Sequence, residues 1–183
     1  MARAREEVAT GVVYDRAYVA RGSGRPDRER GACTDLVVRA LAAGGLDLQS
    51  AIFNDALRAP SAYANIALVD GRIDHRRAPN QHVWLSRHAR RLPVSLEARE
   101  TFAAGDIVVW TYGTCPECKA DHVGVVSDRT GKRGYPLILH NAGPKATEED
   151  ALDAWPIVGH YRVVDEEAAR APEPVTPSRN DGP

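Results

Sequence analysis

The sequence is poor in cysteine, in net charge and in long apolar runs. It has three cysteines in 183 residues, too few for the disulfide framework of a small secreted domain. No apolar run reaches the roughly 18 residues that a membrane-spanning helix needs, which excludes a membrane channel. The 24 Lys and Arg against 25 Asp and Glu give a formal net charge of -1, so the basic excess typical of nucleic-acid-binding proteins is missing.

The remaining composition is that of an ordinary globular protein, with 43% hydrophobic and 27% charged residues. We predict one domain over residues 1–164. Residues 165–183 are rich in proline and acidic side chains and are predicted to form a disordered tail. Acidic residues stand where a secretory signal would have its apolar region, so we expect a chain that is cytoplasmic as made or that has lost its leader.

The periodicity of the hydrophobic residues changes once, near residue 100. Before this point, apolar residues at helical spacing predict helices over 34–43 and 48–57, and a third that follows Pro79 and ends before Pro93. After it, four short runs rich in β-branched residues predict strands. These runs are 106–111, 122–128, 137–141 and 160–164. Short connections favour an antiparallel meander for the first three, and helices followed by strands predict an α+β fold.

Three residues form a candidate catalytic set. Cys33 stands at the predicted start of the first helix, where unpaired backbone N–H groups and the helix dipole favour a thiolate. A nucleophilic cysteine needs a base, and His122 opens the second strand, from which we expect its imidazole to project toward a helix packed on that face. His140, one strand later, is placed to orient His122 as a cross-strand neighbour. Asn141 points to the opposite face from His140, so only one of the two can be the orienting residue.

Each of these residues also has a simpler interpretation. A cysteine on an apolar helix is more often an inert core residue, and a lone histidine at a strand end is usually structural. The order of a helix-start cysteine, a Gly-Asp before a strand, and histidines on the next two strands favours catalysis. Cys115 and Cys118 form an isolated C-x-x-C before His122, which fits a plain loop, a local disulfide or, with two further ligands, a metal site.

These runs carry a resemblance to known proteins. The runs Gly-Ala-Cys33-Thr-Asp, Gly105-Asp-Ile-Val-Val-Trp, His122-Val-Gly-Val-Val and Leu-Ile-Leu-His140 resemble the signatures of NlpC-type, papain-like cysteine hydrolases that cut cell-wall peptides. The chain is more similar to a bacterial family known as domain of unknown function 1287, which shares the run from Ile73 to Asn80 and the run Gly-His-Tyr-Arg near residue 160. This resemblance covers about residues 10–164.

The resemblance implies a papain-like (NlpC-type) α+β fold, with N-terminal helices packed on a small antiparallel sheet. It implies Cys33 as nucleophile, His122 as base and His140 as orienter, acting without a cofactor on an amide bond, above all in peptidoglycan stem peptides. Cleavage of the cell wall implies a periplasmic or extracellular location, and this conflicts with the lack of a visible leader.

Three charged residues are candidate substrate contacts. Arg76 and Arg77 stand in a predicted loop, where a guanidinium can form two parallel hydrogen bonds with a carboxylate of a peptide. An arginine that is solvated, or paired with a carboxylate of the protein itself, is equally typical of such a position. Asp35 falls at about the third position of the first helix, where it is expected mainly to cap the helix.

Other functions remain open. The same fold serves other acyl transfers on small amides, and a non-catalytic ligand-binding module would keep the cleft without turnover. A third alternative is a zinc or redox protein built on Cys115 and Cys118.

Overall fold

A computed structural model describes residues 1–113 and 119–164. The helices in this part of the chain are α1 (Ala2–Thr10), α2 (Cys33–Ala42), α3 (Leu48–Arg58) and α4 (Ala78–His88). The strands are β1 (Val13–Tyr14), β2 (Arg30–Gly31), β3 (Arg90–Arg91), β4 (Ile107–Trp110), β5 (His122–Thr130), β6 (Pro136–His140), β7 (Thr147–Glu149) and β8 (Ile157–Arg162). The predicted tail and the pair Cys115 and Cys118 lie outside the described residues. Within those residues, no helix has the length and apolar character needed to span a membrane.

The strands form two sheets of unequal size. The larger has six strands in the order β3-β8-β4-β5-β6-β7, and every neighbouring pair is antiparallel. Its β4-β5-β6 portion is the predicted meander. The smaller sheet is the short parallel pair of β1 and β2. Because the four helices precede the strands β4 to β8, the prediction of an α+β fold is confirmed.

Strand β4 is buried along its whole length because its alternating side chains enter two separate cores. Ile107 and Val109 belong to the cluster that includes helix α2. Val108 and Trp110 enter a second cluster on the other face of the sheet. That second cluster also contains Phe102, Val126, Ile138, Ala151 and Leu152. The sheet is therefore covered on both faces, and its central strands form a rigid support.

Helix α2 is held by its apolar face and by its cap. Leu36 and Val37 are fully buried against the sheet, and burying side chains of this size stabilises the fold by roughly 2 kcal/mol each. At the start of the helix, the carboxylate of Asp35 accepts a hydrogen bond from the Ala32 backbone N–H at 2.7 Å. These contacts fix the position of Cys33, the first helical residue.

Five elements were not predicted, namely helix α1 and the short strands β1, β2, β3 and β7, and some boundaries were wrong: strand β8, for example, begins at Ile157 and not at His160. Helix α4 ends at His88 and does not continue toward Pro93, because Ala89 is already extended. Arg90 and Arg91 then pair with β8, so the hydrogen-bonding groups of this segment join the sheet.

Candidate functional site

Cys33 lies at the start of α2 with only 7% of its surface exposed. Backbone N–H groups of Thr34 and Val123 face its sulfur and favour the thiolate. Burial has the larger effect, and it raises the pKa of the Cys33 thiol to about 11. Desolvation therefore opposes the thiolate that the helix start was expected to stabilise.

The two histidines are in direct contact. The Nε2 atom of His122 lies 2.7 Å from Nδ1 of His140, and both side chains are buried. The register that pairs Val125 with Leu139 places Gly124 opposite His140, so the histidines are diagonal neighbours and not a directly opposed pair. With no side chain at Gly124, the two rings can approach each other across the strands.

The histidine pair lies on the face of the sheet that carries Trp110 and Trp155. The ring centroids of His122 and Trp155 are 5.3 Å apart, and those of His122 and Trp110 are 5.7 Å apart. Helix α2 packs on the other face, and His122, the first residue of β5, lies at the end of the sheet beside Trp110 and Trp155, so its approach to Cys33 from this end stays a prediction. Among the described residues no hydrogen bond joins His122 to Cys33. The sulfur of Cys33 faces the backbone N–H of Val123, the residue that follows His122. Hydrogen bonds between catalytic groups are often loose in unliganded enzymes.

Burial keeps both imidazoles neutral. Burial lowers the pKa of His122 to about 3, and repulsion between His122 and His140 in their protonated forms acts in the same direction. Burial also lowers the pKa of His140, although Glu149, whose Oε1 lies 2.8 Å from Nε2 of His140, opposes this effect. At neutral pH His122 therefore has a free lone pair, as a general base requires.

Two aromatic residues that the sequence analysis did not assign to the site enclose His122. Tyr112 stacks on the imidazole with 6.0 Å between ring centroids, and Trp155 contacts it edge-on. Tyr112 is 56% exposed, so it lies between His122 and solvent. Aromatic rings in this position keep water away from the imidazole. Nothing in the sequence distinguishes them from core aromatics.

Among the described residues, the side chain of Asn141 makes no hydrogen bond to either histidine. Its Nδ2 donates to the backbone carbonyls of Gly31 at 2.9 Å and Val12 at 3.2 Å. It therefore ties the end of β6 to the loop that precedes Cys33. Of the two candidates for orienting His122, only His140 reaches it.

Asp35 and Arg76 form a buried ion pair with each other. The Arg76 guanidinium donates to Asp35 through Nε at 2.9 Å and Nη2 at 3.0 Å, and to the backbone carbonyls of Asp15 and Ala17. Both side chains are almost fully buried. Since these polar groups are bonded within the protein, Asp35 and Arg76 have a structural role, and binding of substrate by either of them stays a prediction. Arg77 is exposed and stays a candidate for substrate binding.

No group of three or more His, Cys, Asp or Glu side chains in residues 1–113 and 119–164 is arranged to hold a metal ion. Cys115 and Cys118 lie outside these ranges. Their role in a disulfide or a metal site therefore stays a prediction.

Comparison with known proteins gives one family match and one close relative. A family model described as "Domain of unknown function (DUF1287)" matches residues 1–163. The uncharacterized protein YijF of Escherichia coli K12 is 40% identical over 164 residues, which cover 87% of this chain and 78% of that protein.

The solved structures that are similar over most of the chain include the following two. One is a lipoprotein-like protein of the NLP/P60 family from Staphylococcus aureus, with a TM-score of 0.45 and 14% identity over 90% of this chain and 40% of that one. The other is a putative xylanase from Bacteroides fragilis, with a TM-score of 0.47 and 16% identity over 88% of this chain and 98% of that one. Likenesses at TM-scores below 0.5 say nothing about activity.

Proposed function

The chain belongs to the DUF1287 family, and from this premise we propose that it is a cysteine hydrolase that cleaves an amide bond. Cys33 is the nucleophile, His122 the base and His140 the residue that orients His122. The observation that carries the proposal is the buried contact of 2.7 Å between the two histidines, on the strand whose Val123 N–H faces the Cys33 sulfur. A cysteine, a base and an orienting group form the arrangement that nucleophilic catalysis requires.

Both groups are neutral in the resting site, and this determines the order of events. Burial raises the pKa of the Cys33 thiol and lowers that of the His122 imidazole, so in the resting site the proton stays on sulfur. The thiol proton therefore passes to His122 as the sulfur attacks the carbonyl carbon. The new C–S bond converts the carbonyl oxygen into an oxyanion, and the backbone N–H of Cys33 at the start of α2 is the donor proposed to stabilise it. The N–H of Ala32 is not free for this task, because it is bonded to Asp35.

The second half of the reaction restores the thiol. The C–N bond breaks as His122 returns its proton to the leaving amine, which leaves a thioester on Cys33. Water then attacks the thioester and gives one proton to His122. The C–S bond breaks, the carboxylic acid leaves, and the sulfur recovers its proton from the imidazole.

The proposed substrate is the stem peptide of peptidoglycan, on the basis of the motif resemblance to NlpC-type hydrolases. Arg77 is the proposed contact for a carboxylate of that peptide, because it is exposed and its ion pair with Asp74 is long, at 4.0 Å. Substitution of Arg77 is expected to raise KM more than it lowers kcat.

A non-catalytic binding module is the second candidate, and the raised pKa of Cys33 favours it. A protein that only binds peptides has no need of a reactive thiol, and a buried cysteine in a neutral state fits that role.

Digestion of purified peptidoglycan distinguishes the two candidates. New amino and carboxyl ends are measured by mass spectrometry for the parent protein and for Cys33→Ala, His122→Gln and the control His88→Gln, which alters a half-exposed histidine of α4. We expect cleavage by the parent and the control, none by Cys33→Ala, and a rate lowered at least about 100-fold in His122→Gln. Binding of the peptides without any new chain ends would refute the hydrolase and support the binding module.

A further inference from the structure

A carboxylate on the edge strand of the sheet extends the histidine pair. Glu149 is the last residue of β7, and its Oε1 lies 2.8 Å from Nε2 of His140. Its side chain is 53% exposed, whereas that of His140 is fully buried. The contact therefore connects the interior of the site to the solvent-facing edge. Glu149 was not among the residues identified from the sequence.

The chemistry of the three groups determines where the protons are. An ionised carboxylate only accepts hydrogen bonds, so Nε2 of His140 carries a hydrogen that it donates to Glu149. In a neutral imidazole the other nitrogen is then an acceptor, and Nδ1 of His140 must accept from Nε2–H of His122. The same rule leaves Nδ1 of His122 with its lone pair.

We propose that Glu149 is a positioning residue that fixes the tautomers of both histidines and so makes Nδ1 of His122 the atom that accepts the thiol proton. The part of this proposal that concerns the thiol rests on the proposed function. The tautomers themselves are a property of the folded protein, whether or not it is an enzyme.

Removing the carboxylate permits the opposite arrangement. Nδ1 of His140 can then carry the hydrogen and donate it to Nε2 of His122, which places the hydrogen of His122 on Nδ1. In that state His122 cannot accept a proton from Cys33 through Nδ1. The 2.7 Å contact between the rings is compatible with both arrangements, and among the hydrogen bonds of the described residues it is the one between His140 and Glu149 that selects between them.

Nitrogen NMR of the imidazole rings tests the proposal directly, because the ¹⁵N shifts distinguish Nδ1–H from Nε2–H tautomers. The comparison uses the full chain, Glu149→Leu, and the control Glu97→Leu, which removes an exposed carboxylate from the segment Leu96–Thr101. In the parent and in the control we expect Nε2–H in both His122 and His140. In Glu149→Leu we expect Nδ1–H to become a major form of both rings. Unchanged tautomers in Glu149→Leu would overturn the proposal.

Kinetics separates this proposal from the proposed function. In Glu149→Leu we expect kcat to fall about tenfold with little change in KM, since part of the enzyme then holds the inactive tautomer. A change of tautomers in a protein without hydrolytic activity would remove the proposed function and leave the role of Glu149 intact. A full kcat in a protein whose tautomers have changed would refute the assignment of Nδ1 as the base.

Discussion

Replacing Gly124 by alanine is predicted to damage the histidine pair through a single added methyl group. A Cβ at this position would lie 2.7 Å from Cγ2 of Ile138 and 3.2 Å from Cβ of His140. The first distance is about 0.7 Å short of ordinary van der Waals contact, so β5 and β6 must separate or Ile138 must change its rotamer. Overpacking of this kind costs about 1–3 kcal/mol. His140 would shift by a few tenths of an ångström relative to His122, and we expect hydrolysis to slow by about tenfold or more.

The measurement combines urea unfolding with the peptidoglycan assay. Gly45→Ala is the control: Gly45 has a φ of +91° and no atom would lie within 4 Å of a Cβ there, so only backbone strain is added. That strain costs about 1–2 kcal/mol, which makes the two variants similar in stability. We expect the activity of Gly45→Ala to match that of the parent under folding conditions, and that of Gly124→Ala to fall. Full activity and unchanged stability in Gly124→Ala would refute the steric reasoning.

Two further predictions concern the start of α2. Arg76→Met leaves the Asp35 carboxylate buried without its partner and is expected to lower the free energy of unfolding by about 3–5 kcal/mol. Substitution of the exposed Arg77 by Met should change the free energy of unfolding by less than about 0.5 kcal/mol in the same urea titration. Equal effects of the two substitutions would contradict the structural role of Arg76. Because burial raises the pKa of Cys33 to about 11, alkylation of Cys33 by iodoacetamide should be slow at pH 7 and should keep accelerating up to about pH 11. The variant His122→Ala should show the same pH dependence. If peptide mapping showed that the rate reaches a plateau below pH 8.5, a thiolate would exist in the resting site.

The best-predicted parts of the fold are those in which the residue pattern has one physical solution. Helix α2 was predicted because Leu36, Val37, Ala40 and Leu41 recur at helical spacing before two glycines, and the first three of these are buried in the structure, together with Cys33, Thr34, Asp35 and Val38. The strands β4, β5 and β6 were predicted because β-branched residues dominate them and turn residues bound them. Their antiparallel pairing followed from connections too short for a crossover.

The missed elements lack such a pattern. Helix α1 has few apolar residues, and it buries Glu7, whose carboxylate pairs with Arg3 and Arg39. A charged residue inside is not expected from periodicity, because its partners come from the folded structure. Strand β7 has the sequence Thr-Glu-Glu, which is polar and short, and only its pairing with β6 makes it a strand.

The candidate site was predictable in its residue types but not in its geometry. The sequence predicted that Cys33, His122 and His140 belong together, and the structure brings the histidines into contact. The diagonal register, the face on which His122 lies and the contact of Glu149 with His140 depend on how β5, β6 and β7 align. Alignment between strands is a tertiary property that no local pattern specifies. The depth of burial that raises the pKa of Cys33 has the same origin.

The bonds of Asn141 have a consequence for the biosynthesis of the protein. Its amide connects to Gly31 and Val12 across 110 and 129 residues of chain, respectively. The loop before Cys33 therefore lacks this link to the sheet until β6 has left the ribosome, and contacts of such long range form late in folding. A nascent chain that has exposed only α1 to α4 contains the nucleophile but neither histidine. Cys33 and the two histidines can thus come together only when synthesis is nearly finished.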